Sequence, residues 1–290
     1  MPMKPIDIMI AGAEKAGTSS LQKYLAQHPK IASHTRREMT YFVSDEEYAL
    51  GYETVAARYF ESSAAPVILA KSVGVMYLPA ALQRLHSHNP AVRVVVCLRN
   101  PVTRAYSSYW FSRRMGWEDL PTFEEALRAD PARFHGDPVR EHACAYLERS
   151  TYVTHIQNIY ALFPREQVHI FLTDDLKSDV KGVCNSIFQA AGLEPFTVNA
   201  EREHNVAAQP KSVGLARWLS STSPLKRALR KLVGSRARDR LKSRLREMNE
   251  ELFTPPQIDE ATRQRLNAHF KPYNDQLSGL IGRDLSAWDR

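Results

Sequence analysis

A glycine-framed loop follows the first apolar run of the chain and carries the residue types that bind phosphate. The loop begins at Gly12, directly after the run Ile6–Ala11, and its second glycine is Gly17. This Gly-x4-Gly frame between a predicted strand and a predicted helix is typical of phosphate loops, although a plain strand-to-helix turn gives the same pattern. Nucleoside-triphosphate enzymes have a Lys after the second Gly, whereas this chain has Thr18 there and a cation inside the loop at Lys15. One cation with backbone N–H groups suits a 5′-phosphate better than a triphosphate with its metal.

A second anion site is predicted after the run Arg93–Leu98. The β-branched residues of this run are typical of a parallel strand that is buried on both faces. Arg99 follows directly, and a helix is predicted to begin after Pro101, so Ser107 lies about two helical turns further on. Ligands bind at the carboxyl ends of strands in open α/β sheets, and Arg99 and Ser107 could therefore share an anion. The alternative is an Arg that caps a loop and a Ser on a solvated face.

Strand and helix patterns alternate along the chain and predict an α/β protein with a single domain over residues 1–290. Further strand candidates are Asp7–Ala11, Val67–Ser72 and Gln167–Leu172. Alternating units of this kind predict a mainly parallel sheet flanked by helices, with phosphates bound at its carboxyl edge. A chain of 290 residues with 43% hydrophobic residues is long enough to bury one substantial core.

The charge and the cysteines limit the partners and the compartment. A formal net charge of +7 favours anionic partners but does not choose among a nucleotide, an acidic glycan, a lipid surface and nucleic acid. The three cysteines, Cys97, Cys144 and Cys184, are widely spaced, which argues against a disulfide framework and against a zinc site. The chain begins without a basic leader and has no apolar run of about 20 residues, so a cytoplasmic location is expected.

A basic segment, Lys226–Arg246, stands out in the last third of the chain. It has ten Lys or Arg residues and a single acid, Asp239. Leucines recur at helical intervals within it, which predicts two basic amphipathic helices inside a helical insertion at about 213–250. Three interpretations remain open: a solvated face, a lid over an acceptor site, and a weak contact with an anionic membrane surface.

Taken together, these motifs resemble the sulfotransferases that use 3′-phosphoadenosine 5′-phosphosulfate (PAPS). Lys15–Leu21 is similar to that family's 5′-phosphosulfate loop, and Arg99 with Ser107 has the spacing of its 3′-phosphate site. Segments His204–Ser212 and Leu280–Trp288 also resemble family members, so the resemblance covers nearly the whole chain. It implies a P-loop-like sulfotransferase fold, PAPS as donor, the product PAP, and no metal. The donor-binding residues that it implies are Lys15, Ala16, Gly17, Thr18, Ser19, Ser20, Arg99, Ser107, Tyr152 and Lys211.

The resemblance also assigns catalytic roles. Glu38 stands where heparan-type sulfotransferases have their catalytic base, and His34 is the rival because soluble small-molecule members use a His. Lys71 stands where heparan-type members have a Lys near the reacting sulfate, although the surrounding residues differ. Lys15 is the candidate that neutralises charge on the leaving phosphate. Tyr152 either lines the adenosine pocket or is a packed aromatic residue with its hydroxyl satisfied.

The predicted reaction is in-line transfer of a sulfuryl group from PAPS to a hydroxyl of a small-molecule, lipid or sugar acceptor. Two other classes of protein are alternatives. One is a metal-dependent P-loop kinase, which Thr18 disfavours, and the other is a non-catalytic anion or nucleic-acid binder that acts through Lys226–Arg246. Nucleic acid is not expected as a partner, because that hypothesis leaves Lys15 and Arg99 unexplained.

Overall fold

Five short apolar segments pair to form one parallel sheet. The computed structural model describes residues 3–60, 65–129, 131–200, 208–210, 212, 214 and 250–289. The chain divides into two units, the first formed by residues 1–104, 151–203 and 270–290 and the second by residues 105–150 and 204–269. The first unit contains the sheet. A single domain over residues 1–290 stays a prediction.

The sheet has the strand order β2-β3-β1-β4-β5, and each neighbouring pair is parallel. Its strands are β1 (Ile8–Gly12), β2 (Ile31–Ser33), β3 (Val67–Lys71), β4 (Arg93–Leu98) and β5 (Val168–Leu172). Strands β1 and β3 are buried along their whole length, as expected of central strands that are covered on both faces. The predicted α/β class with a parallel sheet is confirmed. The sequence did not predict β2, because three residues are too few to show a strand pattern.

Helices cover both faces of the sheet. The described helices are α1 (Thr18–Leu25), α2 (Asp45–Ala49), α3 (Tyr52–Ala56), α4 (Pro79–His88), α5 (Pro101–Met115), α6 (Phe123–Arg128), α7 (Pro138–Ala143), α8 (Tyr152–Tyr160), α9 (Thr173–Ser178), α10 (Val180–Ala190) and α11 (Glu260–Ile281). Helices α1 and α10 contact each other, and with the usual right-handed crossovers the strand order implies that α4 and α8 lie on the opposite face. The loops that follow β1, β3 and β4 lie at the carboxyl edge of the sheet.

A buried carboxylate organises the turn between α5 and α6 in the second unit. Glu118 is fully buried and accepts hydrogen bonds from Arg133 Nη2 at 2.7 Å and from the Tyr146 hydroxyl at 2.9 Å. This unit also contains strand β6 (Ala208–Pro210), which pairs antiparallel with β7 (Glu250–Leu252). A buried carboxylate needs such partners, because burying an unpaired charge is costly.

Several sequence predictions fall outside the described residues. They include Lys211, the basic segment Lys226–Arg246 and almost all of the predicted insertion at 213–250. Among the helices that the structure describes, none is long and apolar enough to cross a bilayer. The buried free cysteines are Cys97, Cys144 and Cys184.

Candidate active site

The phosphate loop (residues 12–20) follows β1 and leads into α1. Its backbone includes two left-handed residues, Lys15 with φ 68° and Gly17 with φ 89°. Glycine adopts this conformation without strain, whereas a lysine persists in it only where its surroundings hold it. Gly12 is required for a different reason: a Cβ at this position would overlap the side chain of Met76. Left-handed residues in such a loop turn successive N–H groups toward one side and form a concavity for anions.

Hydrogen bonds from neighbouring elements fix the backbone of the phosphate loop. They are Ala13 N to Cys97 O at 2.7 Å, Glu14 N to the Tyr77 hydroxyl at 3.3 Å, Arg104 Nε to Glu14 O at 3.3 Å, Arg99 Nη1 to Lys15 O at 3.4 Å, and Thr173 Oγ1 to Ala16 O at 3.4 Å. Their partners come from β4, from the turn after β3, from α5 and from α9. Contacts within the protein therefore support the shape of this loop.

The first turn of α1 completes the phosphate loop. Thr18 is buried, and Ser19 and Ser20 are half-buried. The first N–H groups of a helix have no intrahelical acceptor, and this helix has no acidic residue in its first turn. The half-buried Lys15 precedes this turn. The backbone N–H groups and hydroxyls of this turn thus lie where the helix dipole favours an anion, and Lys15 is close to them in sequence.

A base cluster (His34, Glu38 and Lys71) lies beside the phosphate loop. Lys71 ends β3 and is only 1% exposed, and its Nζ donates to Glu38 Oε1 at 2.8 Å and to Ser19 Oγ at 3.1 Å. Glu38 Oε2 accepts from the backbone N–H of Val73 at 2.9 Å. The Glu38 side chain is 27% exposed, against 2% for the Lys71 side chain. Lys71 therefore links the start of α1 to a carboxylate that faces solvent.

His34 takes part in the base cluster through its ring nitrogens. Its Nε2 accepts from the backbone N–H of Lys71 at 3.0 Å, which leaves Nδ1 as the protonated nitrogen, 2.7 Å from Arg36 O. The side-chain amide of Gln22 donates to His34 O at 3.0 Å and so ties α1 to the same segment. Burial lowers the pKa of His34 to about 4, so the imidazole is neutral near pH 7. Both ring nitrogens are occupied, and this geometry favours Glu38 over His34 as the proton acceptor.

Arg99 directly follows β4, as the sequence predicts. Its Nε donates to Thr103 Oγ1 at 3.0 Å, and burial lowers the pKa of its guanidinium from the ordinary value. Tyr152 is 1% exposed, and its hydroxyl donates to Arg99 O at 3.0 Å. This geometry favours the packed-aromatic interpretation of Tyr152. Ser107 is half-buried on α5 and belongs to the second unit, and its sharing of an anion with Arg99 stays a prediction.

Sequence reasoning missed an ion pair inside the phosphate loop. Arg104 is fully buried, and its Nη2 lies 3.5 Å from Glu14 Oε2. The two residues are 90 positions apart, so no local pattern connects them. One signal was available: an Arg in the first turn of a helix is disfavoured by the helix dipole and therefore calls for a specific partner.

Within the part of the chain that the structure describes, no three His, Cys, Asp or Glu side chains come together to hold a metal ion. The site instead combines an ammonium group, helix N–H groups and a solvent-facing carboxylate. Such an arrangement can bind an anion and take a proton from a nucleophile.

A parallel sheet with a glycine-framed loop after its first strand defines an α/β protein with a candidate anion site at the carboxyl edge. The sequence model of the family described as "Sulfotransferase domain" matches residues 5–253. The chain belongs to this family, which confirms the resemblance found in the sequence, and sulfuryl transfer is the general reaction class of the family.

Similar proteins include heparan sulfate sulfotransferases. The chain is 26% identical to heparan sulfate glucosamine 3-O-sulfotransferase 6 of Mus musculus, over 97% of this chain and 73% of that protein. It is 25% identical to the bifunctional heparan sulfate N-deacetylase/N-sulfotransferase 1 of Caenorhabditis briggsae, over 66% of this chain, and spans only 23% of that protein's length. The solved structure of a sulfotransferase from Alicyclobacillus acidocaldarius has the same fold, with a TM-score of 0.69 at 24% identity, and the match covers 99% of this chain and 100% of that one.

Proposed function

We propose that this protein transfers a sulfuryl group from PAPS to a hydroxyl of a small-molecule, lipid or sugar acceptor and releases PAP. One observation carries the proposal: the Lys71 ammonium contacts both Ser19, at the start of the phosphate loop's helix, and the carboxylate of Glu38. Sulfuryl transfer needs the donor and the base that deprotonates the acceptor to lie close together. Lys71 contacts both the candidate anion site and the base Glu38.

The residues present fit the two phosphate groups of PAPS. Lys15 and the N–H groups at the start of α1 would hold the 5′-phosphosulfate. Arg99 would hold the 3′-phosphate, and the family resemblance assigns Ser107 and Lys211 to the same phosphate. Tyr152 contributes by fixing the main chain of Arg99. When bound, PAPS supplies an activated sulfuryl group and a phosphate leaving group.

The chemistry that remains for the chain is charge neutralisation and proton removal. During transfer the bond from sulfur to the phosphate oxygen breaks and a bond from sulfur to the acceptor oxygen forms. Lys15 stabilises the negative charge that develops on the departing phosphate oxygen. Glu38 accepts the proton of the acceptor hydroxyl, and Lys71 keeps its carboxylate oriented.

The names of the relatives include both an oxygen and a nitrogen acceptor, so they do not fix the acceptor. One relative is named for 3-O-sulfation of a glucosamine and another for N-sulfation. A shared scaffold often keeps its donor site and changes its acceptor, because acceptor contacts lie on variable loops. We propose a hydroxyl as the acceptor group, with Glu38 as the carboxylate base that removes its proton.

The direct test supplies sulfur-labelled PAPS and a panel of alcohols, lipids and sugars in the presence of EDTA. Wild-type protein is expected to pass the label to at least one class of acceptor without magnesium. Lys15→Ala should abolish the transfer, whereas Lys23→Ala, at an exposed lysine near the end of the same helix, should retain it. Lack of label transfer across the panel, together with no binding of PAP, would overturn the proposal.

A further inference from the structure

Glu14 is an unusual residue to find in an anion-binding loop. Its carboxylate adds a negative charge next to Lys15, where the proposed donor brings at least two more. Like charges at close range disfavour binding unless a cation compensates. The Glu14 side chain is 15% exposed, so water screens this charge only in part.

Arg104, on α5, compensates the negative charge of Glu14. Its guanidinium contacts both the carbonyl oxygen of Glu14, through Nε at 3.3 Å, and the carboxylate, through Nη2 at 3.5 Å. The Arg104 side chain is completely buried, and a buried guanidinium is stable only beside a counter-charge. Glu14 and Arg104 therefore neutralise each other at the base of the phosphate loop.

The same contacts set the backbone of the next residue. The N–H of Glu14 is held by the Tyr77 hydroxyl and its carbonyl by Arg104, so both of its backbone polar groups are fixed. Lys15 follows in the left-handed conformation, with φ 68°, which is uncommon for a residue with a side chain. Holding the residue before it stabilises this conformation and directs the Lys15 ammonium.

We propose that Arg104 is a positioning residue for the donor: it neutralises Glu14 and holds the left-handed turn at Lys15, so that the phosphate loop is preorganised for the 5′-phosphosulfate. The inference rests on the proposed function, because it assumes that PAPS is the ligand of this loop. Arg104 acts through Glu14 and Lys15 rather than by touching the donor.

The test measures PAP affinity by calorimetry in four proteins: wild type, Arg104→Met, the double variant Arg104→Met/Glu14→Gln, and Arg93→Met. Losing hydrogen bonds to a charged group typically weakens binding by about 10- to 100-fold, so Arg104→Met should raise the Kd of PAP by about 30-fold. The double variant removes the exposed negative charge as well and should recover most of this loss. Arg93 is the control, because its Nε also donates to a carbonyl oxygen, that of Ala190, at 2.9 Å. Arg93 begins β4 and therefore lies at the end of this strand that is away from the carboxyl edge.

A purely structural role predicts a different pattern. Arg104→Met and Arg93→Met would then both lower the melting temperature and leave the Kd of PAP within about twofold, and Glu14→Gln would rescue nothing; this result would overturn the inference. Steady-state kinetics give a second readout, since a positioning role raises the KM for PAPS and leaves the KM for the acceptor unchanged.

If Arg104→Met does not fold, Arg104→Lys keeps the charge and loses part of the hydrogen bonding. We expect it to raise the Kd of PAP by about fivefold, and a change of less than twofold would count against the inference. Wild-type protein that does not bind PAP would overturn the donor assignment itself. Wild-type binding with unchanged binding in the Arg104 variants would overturn only this inference.

Discussion

The phosphate loop and the base cluster lie at the same edge of the sheet but are held in different ways. Neighbouring elements hold the backbone of the phosphate loop, as in the bonds from Arg99 to Lys15 O and from Thr173 to Ala16 O. In the base cluster the central contacts each join two side chains, with Lys71 Nζ between Glu38 and Ser19. A braced backbone favours tight binding of a fixed anion, whereas a side-chain ion pair can rearrange as a proton moves.

This comparison predicts that variants will separate into two kinds. Changes in the phosphate loop and its supports should weaken PAP binding. Changes in the base cluster should lower kcat and leave PAP binding nearly intact.

The largest effect is expected for Lys15→Ala, which tests whether a loop residue also serves the chemistry. Removing one preorganised donor to a developing charge typically costs about 3 to 4 kcal/mol, so kcat should fall by about 150- to 900-fold. Single-turnover measurements with labelled PAPS give this rate, and Lys23→Ala is the control. A variant that loses only PAP affinity and keeps its kcat would confine Lys15 to binding.

Glu38→Gln tests the base cluster with the least change in shape. The amide keeps the size and polarity of the side chain but cannot accept the acceptor's proton, so kcat should fall by about 100-fold. The Kd of PAP, measured by calorimetry, should change by less than twofold. An active Glu38→Gln beside an inactive His34→Gln would assign the base to His34 instead.

Several residues at the carboxyl edge of the sheet could be predicted from the sequence, because they lie at or shortly after the ends of buried strands. Lys15 follows β1, Lys71 ends β3 and Arg99 follows β4, as the apolar runs indicate. The contact between Lys71 and Glu38 joins residues 33 positions apart, and only the family resemblance brought the two together beforehand.

The contacts that support the site could not be predicted. Arg104 and Glu14 pair across 90 positions of the chain, and no sequence pattern links the two residues. The neutral state of His34 also depends on tertiary burial, since the sequence shows only a titratable group of ordinary pKa. Strand β2 is too short for its hydrophobic pattern to be recognised.

Arg99→Ala is expected to have a smaller effect that is confined to one phosphate. A charge-assisted hydrogen bond contributes about 1.5 to 3 kcal/mol, so the Kd of PAP should rise by about 10- to 150-fold. Binding of adenosine 5′-phosphosulfate, which lacks the 3′-phosphate, should change little in the same titration series. An equal loss for both nucleotides would show that Arg99 supports the fold of the loop rather than a 3′-phosphate.

The smallest effect is expected for His34→Gln, with His88→Gln as its matched control. Burial lowers the pKa of both histidines to about 4, while an unfolded chain binds the proton near pH 6.5. The unfolded state therefore binds more protons in this window, so stability is complete above about pH 6.5 and is lost as the pH falls toward 4. Both variants should flatten the dependence of the melting temperature on pH in that range.

Activity should separate the two histidine variants. His34 accepts the N–H of Lys71 at the end of β3, whereas His88 accepts the N–H of Ile6, which precedes β1. We expect His34→Gln to lower kcat by about 3- to 10-fold, as is common for the loss of one supporting hydrogen bond, and His88→Gln to leave it unchanged. Equal activity in both variants would show that His34 does not support the catalytic step.

The most direct test of the account is calorimetric binding of PAP to the wild-type protein in EDTA. The two-anion site predicts that PAP binds without magnesium and at least about tenfold more tightly than a nucleotide that lacks the 3′-phosphate, because a second charge-assisted contact is gained. Absence of PAP binding, or tighter binding of a nucleoside triphosphate with magnesium, would contradict the account.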